Sequence, residues 1–256
     1  MGKLRHIAFI STEPKKLSDF YQKYFGFEEC KVFPSGSRMV IDPLFNLAFL
    51  QSRGDEAGAV VGTHRADGAE LERQPGIHHY GFLVDDLNRA LAKLPASLTR
   101  GASPQVSAGV GGPEGTRPAE VRFVDPWGNS VDLSSRGFLG REEKTLPGVR
   151  LLAVQVPDPD KACDFYQQQF DLKLVGRDDG STIRLSDGTV ALLLTKSQVR
   201  PKNGVQYFGI QVSDLETIRK RLKDGGVEIR ESAPGQVWLS DPESNQVLIS
   251  QSGWAN

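Results

Sequence analysis

Short stretches of the chain alternate apolar with polar or small residues, the period of a strand with two unlike faces. In "LRHIAFI", Ile7 and Phe9 form one bulky set and His6 with Ala8 the other. The next stretch, "STEPKKLSDFYQKYFGF", shifts to helical spacing; Ser11 or Thr12 can cap the helix, Pro14 suits its first turn and Gly26 can end it. Three short strands are predicted after it. Their turn signals are "PSGS" and, later in the chain, "SDGT", in which Asp187-Gly188 reads as a two-residue hairpin. The pattern then restarts: "GIHHYGFLV" is a second leading strand, "DDLNRALAKL" a second helix, and "DPWGNSVDLSS" closes a last run of strands.

The whole pattern recurs. "DFYQKYFGF" (19 to 27) matches "DFYQQQFDL" (164 to 172) at five of nine positions, "GIHHYGFLVDDL" matches "GVQYFGIQVSDL", and "VRFVDPWGNSVDLS" matches "VWLSDPESNQVLIS". Three matches in one order predict two copies of a module, 1–138 and 147–256, joined by "RGFLGREEKTLPG". Each copy is a pair of βαβββ units, an α+β chain. The first copy is longer by a polar insertion at 52–75.

Composition narrows the function. Apolar residues make up 38% and charged residues 25%, values of a globular chain with an ample core. Lys plus Arg (31) balance Asp plus Glu (32), and no basic stripe is present to neutralise a row of phosphates, so nucleic acid is not an expected partner. No membrane partner is expected either. The amino terminus lacks the apolar run and cleavage site of a secretory signal, so a cytoplasmic location is expected. Cys30 and Cys163 stand far apart, without the spacing of a disulfide framework or a cysteine-built zinc site.

The histidines sharpen the picture. His6 lies opposite Ile7 and Phe9; in "GIHHYGFLV" the bulky set is Tyr80, Phe82 and Val84, which sends His78 to the helix side and His79 to the opposite face. In "NSVDLSS", Val131 and Leu133 pack while Asp132 shares the polar face. Two imidazoles and one carboxylate then converge from three strands, with Ala8 and Gly81 leaving room. Such a set leaves open positions on an octahedral divalent ion and favours Fe(II), with Mn, Zn, Ni or Co also suited. The second copy keeps the scaffold and has Leu151, Tyr207 and Leu248 at these positions, so the fold itself does not demand the three residues. His78 is expected to pack, Trp127 likewise, and His64 to lie in a loop able to cover a ligand.

"HIAFISTEPKKLSDFYQKYFGF", "HYGFLVDDLNRAL" and "DPWGNSVDL" resemble the vicinal oxygen chelate superfamily, which includes glyoxalase I, bleomycin-resistance proteins, methylmalonyl-CoA epimerase and extradiol dioxygenases. The resemblance implies tandem modules curled into incomplete barrels, a ligand in the cup and helices on the convex face. It carries metal ligands onto His6, His79 and Asp132, where Asp stands for a more frequent Glu. Gln51 falls roughly where epimerase-like members place a glutamine ligand. Gln155, Tyr207 and Gln211 are expected on the cup face of the second copy, as filling or as substrate contacts.

The activity implied is that of a metal-dependent enzyme chelating vicinal oxygens of a small substrate, foremost an Fe(II) extradiol-type dioxygenase. Extradiol enzymes place a histidine and a tyrosine before the last ligand; here "ASPQVSAGVGG" holds no histidine, and Phe123 stands at the expected tyrosine. A glyoxalase- or epimerase-type lyase or isomerase is the alternative, although neither "DPWGNSVDL" nor "DPESNQVLI" has a glutamate at the strand position to serve as base. A metal-free protein that binds an antibiotic or aromatic molecule is the third reading. Duplication supplies the pairing that single modules obtain by dimerising, so a monomer or a homodimer is expected.

Overall fold

The computed structural model describes residues 1–52, 75–99, 103–105, 120–178, 181–196 and 204–255. Most of the 52–75 insertion, with His64, and most of "ASPQVSAGVGG" lie outside the described residues. The first half runs β1 (Lys3–Ser11), α1 (Pro14–Phe25), β2 (Glu28–Val32), β3 (Arg38–Ile41), β4 (Asn46–Gln51), β5 (Gly76–Leu83), α2 (Leu87–Lys93), α3 (Ala96–Thr99), β6 (Ser103–Gln105), β7 (Glu120–Val124) and β8 (Ser130–Ser134). The second runs β9 (Gly148–Val156), α4 (Pro159–Phe170), β10 (Lys173–Asp178), β11 (Thr182–Ser186), β12 (Ala191–Lys196), β13 (Val205–Gln211), α5 (Leu215–Asp224), β14 (Ile229–Glu231), β15 (Gln236–Ser240) and β16 (Gln246–Ser250).

Each half builds one open eight-stranded sheet. The first has the order β2-β3-β4-β1-β5-β8-β7-β6 and the second the equivalent β10-β11-β12-β9-β13-β16-β15-β14. Within a unit the leading strand pairs parallel with the last, as β1 does with β4 and β5 with β8; the two units meet where β1 and β5 run antiparallel. This mixed topology is the predicted pair of βαβββ units, and neither sheet closes into a barrel.

Alternation decides what each face does. Ile7, Phe9, Leu47, Phe49, Tyr80, Phe82 and Val131 belong to a single core that also holds Leu152, Val154, Phe208, Ile210 and Val247 of the second half. The opposite faces form two small separate clusters: Ala8, Ile10, Ala48, Leu50 and Met39 in one sheet, and Leu151, Ala191, Leu248, Trp254 and Tyr207 among those in the other. The two convex faces therefore share one core, with α1 and α4 between them, and the two cups open away from each other.

The repeated motifs stitch the halves together. Tyr21 of α1 donates its hydroxyl to Asp241 at 2.9 Å, and Tyr166 of α4 donates to Asp125 at 2.6 Å, so each "DFY" tyrosine bonds the "DP" aspartate of the other half. Arg5 reaches Asp187 at 2.7 Å, and Arg150 reaches Asp42 at 3.2 Å. Phe82 stacks on Phe170 at 4.1 Å between ring centroids.

Two local expectations are corrected. The residue preceding α1 is Glu13, and neither Ser11 nor Thr12 serves as its N-cap; instead Glu243, from the second half, accepts the Thr12 and Glu13 backbone N–H groups at 2.8 and 2.9 Å. The "SDGT" reversal turns on Gly188, with φ of 88°, and Thr189, because the Asp187 N–H bonds the Val190 carbonyl and the Asp187 carboxylate accepts the Thr189 and Val190 N–H groups. A carboxylate that closes the loop sets the register one residue later than the dipeptide rule does.

Candidate metal centre

Three neighbouring strands aim polar groups into the first cup. His6 on β1, His79 on β5 and Asp132 on β8 offer ligand atoms that all lie within 4.8 Å of one another. Their relative exposures are 4%, 3% and 1%, so solvent screens them little. Ala8 sits opposite His79, and Gly81 lies opposite both His6 and Asp132; a Cβ on Gly81 would stand 2.7 Å from the Phe138 ring and 3.2 Å from His6. Phe138 caps the group, its ring stacked on His6 at 4.6 Å.

The partners fix each imidazole's protonation. His6 Nδ1 lies 2.8 Å from Asn46 Oδ1, an acceptor, so Nδ1 carries the proton and Nε2 the lone pair. Arg122 places Nη2 2.9 Å from His79 Nε2; a guanidinium can only donate, so His79 Nε2 is also a lone pair and its Nδ1 donates to His78 Nδ1 at 2.8 Å. The two Nε2 atoms stand 3.3 Å apart, and His79 Nε2 is 3.1 Å from Asp132 Oδ2. The His6 Nε2 lone pair faces this group without a proton of its own, while Arg122 supplies the donor and the positive charge that His79 and Asp132 share.

Titration follows from burial. Burial pushes His6 down to about 3, helped by the neighbouring His79, and lowers His79 as well, helped by Arg122. Both rings are neutral at pH 7. Burial opposes the charge of Asp132, but the Arg122 guanidinium bonded to both its oxygens outweighs it and holds the carboxyl well below the usual carboxylate range.

Arg122, on β7 directly across from Asp132, is the group that sequence reading passed over. It forks onto Asp132 through Nε at 2.6 Å and Nη2 at 2.8 Å. Its signal was present in "EVRFV", where Val121 and Phe123 pack and Arg122 takes the other face. Phe123 itself is fully buried among core residues, so Arg122 and not Phe123 is the cup-facing neighbour of the last site residue. His78 turns its Nδ1 to His79 in addition to being buried, and Asn46 was legible from the alternation of "NLAFLQ".

The remaining expected residues lie elsewhere. Gln51 ends β4 five residues beyond Asn46, about 17 Å along the strand, on the face of Leu47 and Phe49 and away from the triad. Its amide meets the Thr12 carbonyl at 3.4 Å. Gln155, Tyr207 and Gln211 belong to the second half; Tyr207 packs edge-on to Trp238 at 4.7 Å, in a cup where Leu151 and Leu248 take the places of His6 and Asp132. The second cup is apolar where the first is polar.

A mixed open sheet in each half and, among the described residues, a buried His-His-Asp group in only one of the two cups mark the class of protein. The chain belongs to the Glyoxalase/Bleomycin resistance protein/Dioxygenase superfamily, whose family model matches residues 3–133 and 148–240. Among solved structures it is similar to the Mn(II)-bound glyoxalase from Novosphingobium aromaticivorans, at 14% identity and a TM-score of 0.70 over 100% of this chain and 84% of that one. It is also similar to the 2,3-dioxygenase LapB from Pseudomonas sp. KL28, at 14% identity and 0.68 over 99% and 93%. An extradiol ring-cleaving dioxygenase from B. fuscum superposes at 11% identity and 0.67 over 99% and 72%. No curated protein matches the sequence.

Proposed function

We propose that this chain is a metal-dependent enzyme acting on a small molecule with two adjacent oxygens, that His6, His79 and Asp132 hold a divalent ion, and that the reaction is a dioxygenase-like oxidation. The observation that carries the reading is the convergence of His6, His79 and Asp132 from three strands, with ligand atoms all within 4.8 Å of one another. The donor set fits an ion of intermediate hardness, Fe(II) foremost, with Mn, Zn, Ni or Co also suited. When bound, such an ion supplies Lewis-acid polarisation of the substrate oxygens and, as Fe(II), electrons for dioxygen.

The chain's own residues do the rest. Asn46 and His78 hold the two imidazoles in the tautomers that present Nε2. Phe138 excludes water from one side of the centre. Ala8, Ile10, Met39, Ala48 and Leu50 give the cup an apolar wing fit for the carbon skeleton of an aromatic or aliphatic substrate. The dioxygenase and glyoxalase likenesses support the class, and no described helix is long and apolar enough to cross a membrane. A cytoplasmic enzyme working as a monomer or homodimer is part of the proposal.

A specific observation favours a second reading, a glyoxalase-type lyase or isomerase. Glu120 begins β7 two residues before Arg122, on the same face by alternation, and offers the carboxylate that a proton-abstracting base requires. Elemental analysis of untagged protein, as purified and after reconstitution, is expected to find about one ion per chain, lost in His79→Ala. Protein that holds none in either preparation overturns the metal reading. Oxygen uptake on a panel of catechols then supports the oxidation; exchange of a substrate carbon-bound proton with solvent, lost in Glu120→Gln, supports the isomerase instead.

A further inference from the structure

Arg122 is the unusual member of the cup. Its side chain is 8% exposed, its Nε and Nη2 are committed to Asp132 and His79, and its buried Nη1 has no hydrogen-bond partner among the described residues. A buried donor left without an acceptor costs on the order of 1–3 kcal/mol, more when charged, unless a ligand satisfies it. The fork also occupies lone pairs that an ion would take: both oxygens of Asp132 and Nε2 of His79.

Charge bookkeeping makes the consequence definite. Arg122 and Asp132 are bonded at 2.6 and 2.8 Å and cancel, and each imidazole turns an Nε2 lone pair inward, so the cluster carries no net charge. Adding a divalent ion leaves two positive charges in a site nearly sealed from water, which is costly without a counter-anion. Without Arg122 the same ion and carboxylate would leave one.

We propose that Arg122 couples ion binding to an anionic substrate: it is the counter-ion of Asp132 when no ion is bound and the binding group for a substrate oxygen anion when ion and substrate are both bound. The favoured substrate class is then one that presents two negative charges on adjacent oxygens, such as a 2-oxo or 2-hydroxy acid in its enolate or alkoxide form. A diol that binds without losing a proton lacks the charge to balance the site. This inference rests on the metal reading above.

The test is Co(II) binding to chelator-stripped, untagged protein by calorimetry, with and without oxalate as a dianion having adjacent oxygens. Arg122→Met is expected to bind Co(II) alone about tenfold or more tightly than the wild type, and to lose most of the tightening that oxalate gives the wild type. Arg122→Lys keeps the charge without the fork, guards against a Met variant that fails to fold, and is expected to retain the oxalate effect. Equal Co(II) affinity in wild type and variants, or an oxalate effect unchanged in Arg122→Met, overturns the inference while leaving the metal reading intact. Failure of every form to bind Co(II), with or without oxalate, removes both.

Discussion

Phe138 lies beyond the end of β8, yet its ring is nearly parallel to that of His6 and only 5% of the residue is exposed. Phe138→Ala is expected to cost about 3–5 kcal/mol in urea unfolding, the range for deleting a buried aromatic ring, and to let water reach His6. Phe138→Leu should restore most of that stability. Nothing in the sequence marks Phe138, because it sits in no periodic element. His6, His79 and Asp132, by contrast, were legible because strand period two is strict, and one residue either way exchanges core for cup. The same strictness explains the misplacement at "RFV": taking Phe123 as the neighbour of the site slips the register by one, and Arg122 occupies the cup position. Asn46 carried an equally clear signal. The tautomers of the two imidazoles were beyond sequence reasoning, since they depend on which acceptor meets Nδ1.

At the scale of elements, strands and helices were legible, and their ends were not. Helix α1 was expected to take its cap from Ser11 or Thr12; it takes a carboxylate from Glu243, 230 positions from Glu13. Local capping rules see only a few neighbours, and here the negative charge that suits a helix N-terminus arrives from the other half. The two tyrosine latches follow the same logic. Tyr21→Phe and Tyr166→Phe each remove a donor from a buried aspartate and are expected to lower stability by about 1–3 kcal/mol in thermal or urea unfolding. Both latches join halves far apart in sequence, so the loss should show in global unfolding rather than in local fraying of either helix.

At the scale of the molecule, the duplication was legible and its consequence was not: the two halves share one core. We propose 1–138 and 147–256 as module boundaries in sequence, but each boundary cuts through common packing. Asp42 illustrates this. It is fully buried, accepts backbone N–H groups from Leu44 and Phe45, and also takes the Val149 N–H and Arg150 from the other half. Burial lifts its carboxyl from 3.8 to about 6, with Arg150 and the backbone donors pulling the other way. Between those values the native state holds a proton that the unfolded chain has released. The stability Asp42 contributes is therefore present below pH about 4 and lost as pH rises through about 6, by on the order of 3 kcal/mol. The advantage of the wild type over Asp42→Asn in urea unfolding should accordingly narrow from pH 4 to pH 7.

The reciprocal aspartates also bear on how the chain is made. During synthesis the first half leaves the ribosome well before Arg150, Tyr166 and Phe170 exist to meet Asp42, Asp125 and Phe82. Until they do, a half-built sheet shows its aromatic convex face to the cell and keeps two carboxylates waiting for donors. The stretch of synthesis before the second half emerges is thus the interval in which the chain leaves most of its apolar surface uncovered, and a pause near the junction of the halves would lengthen it.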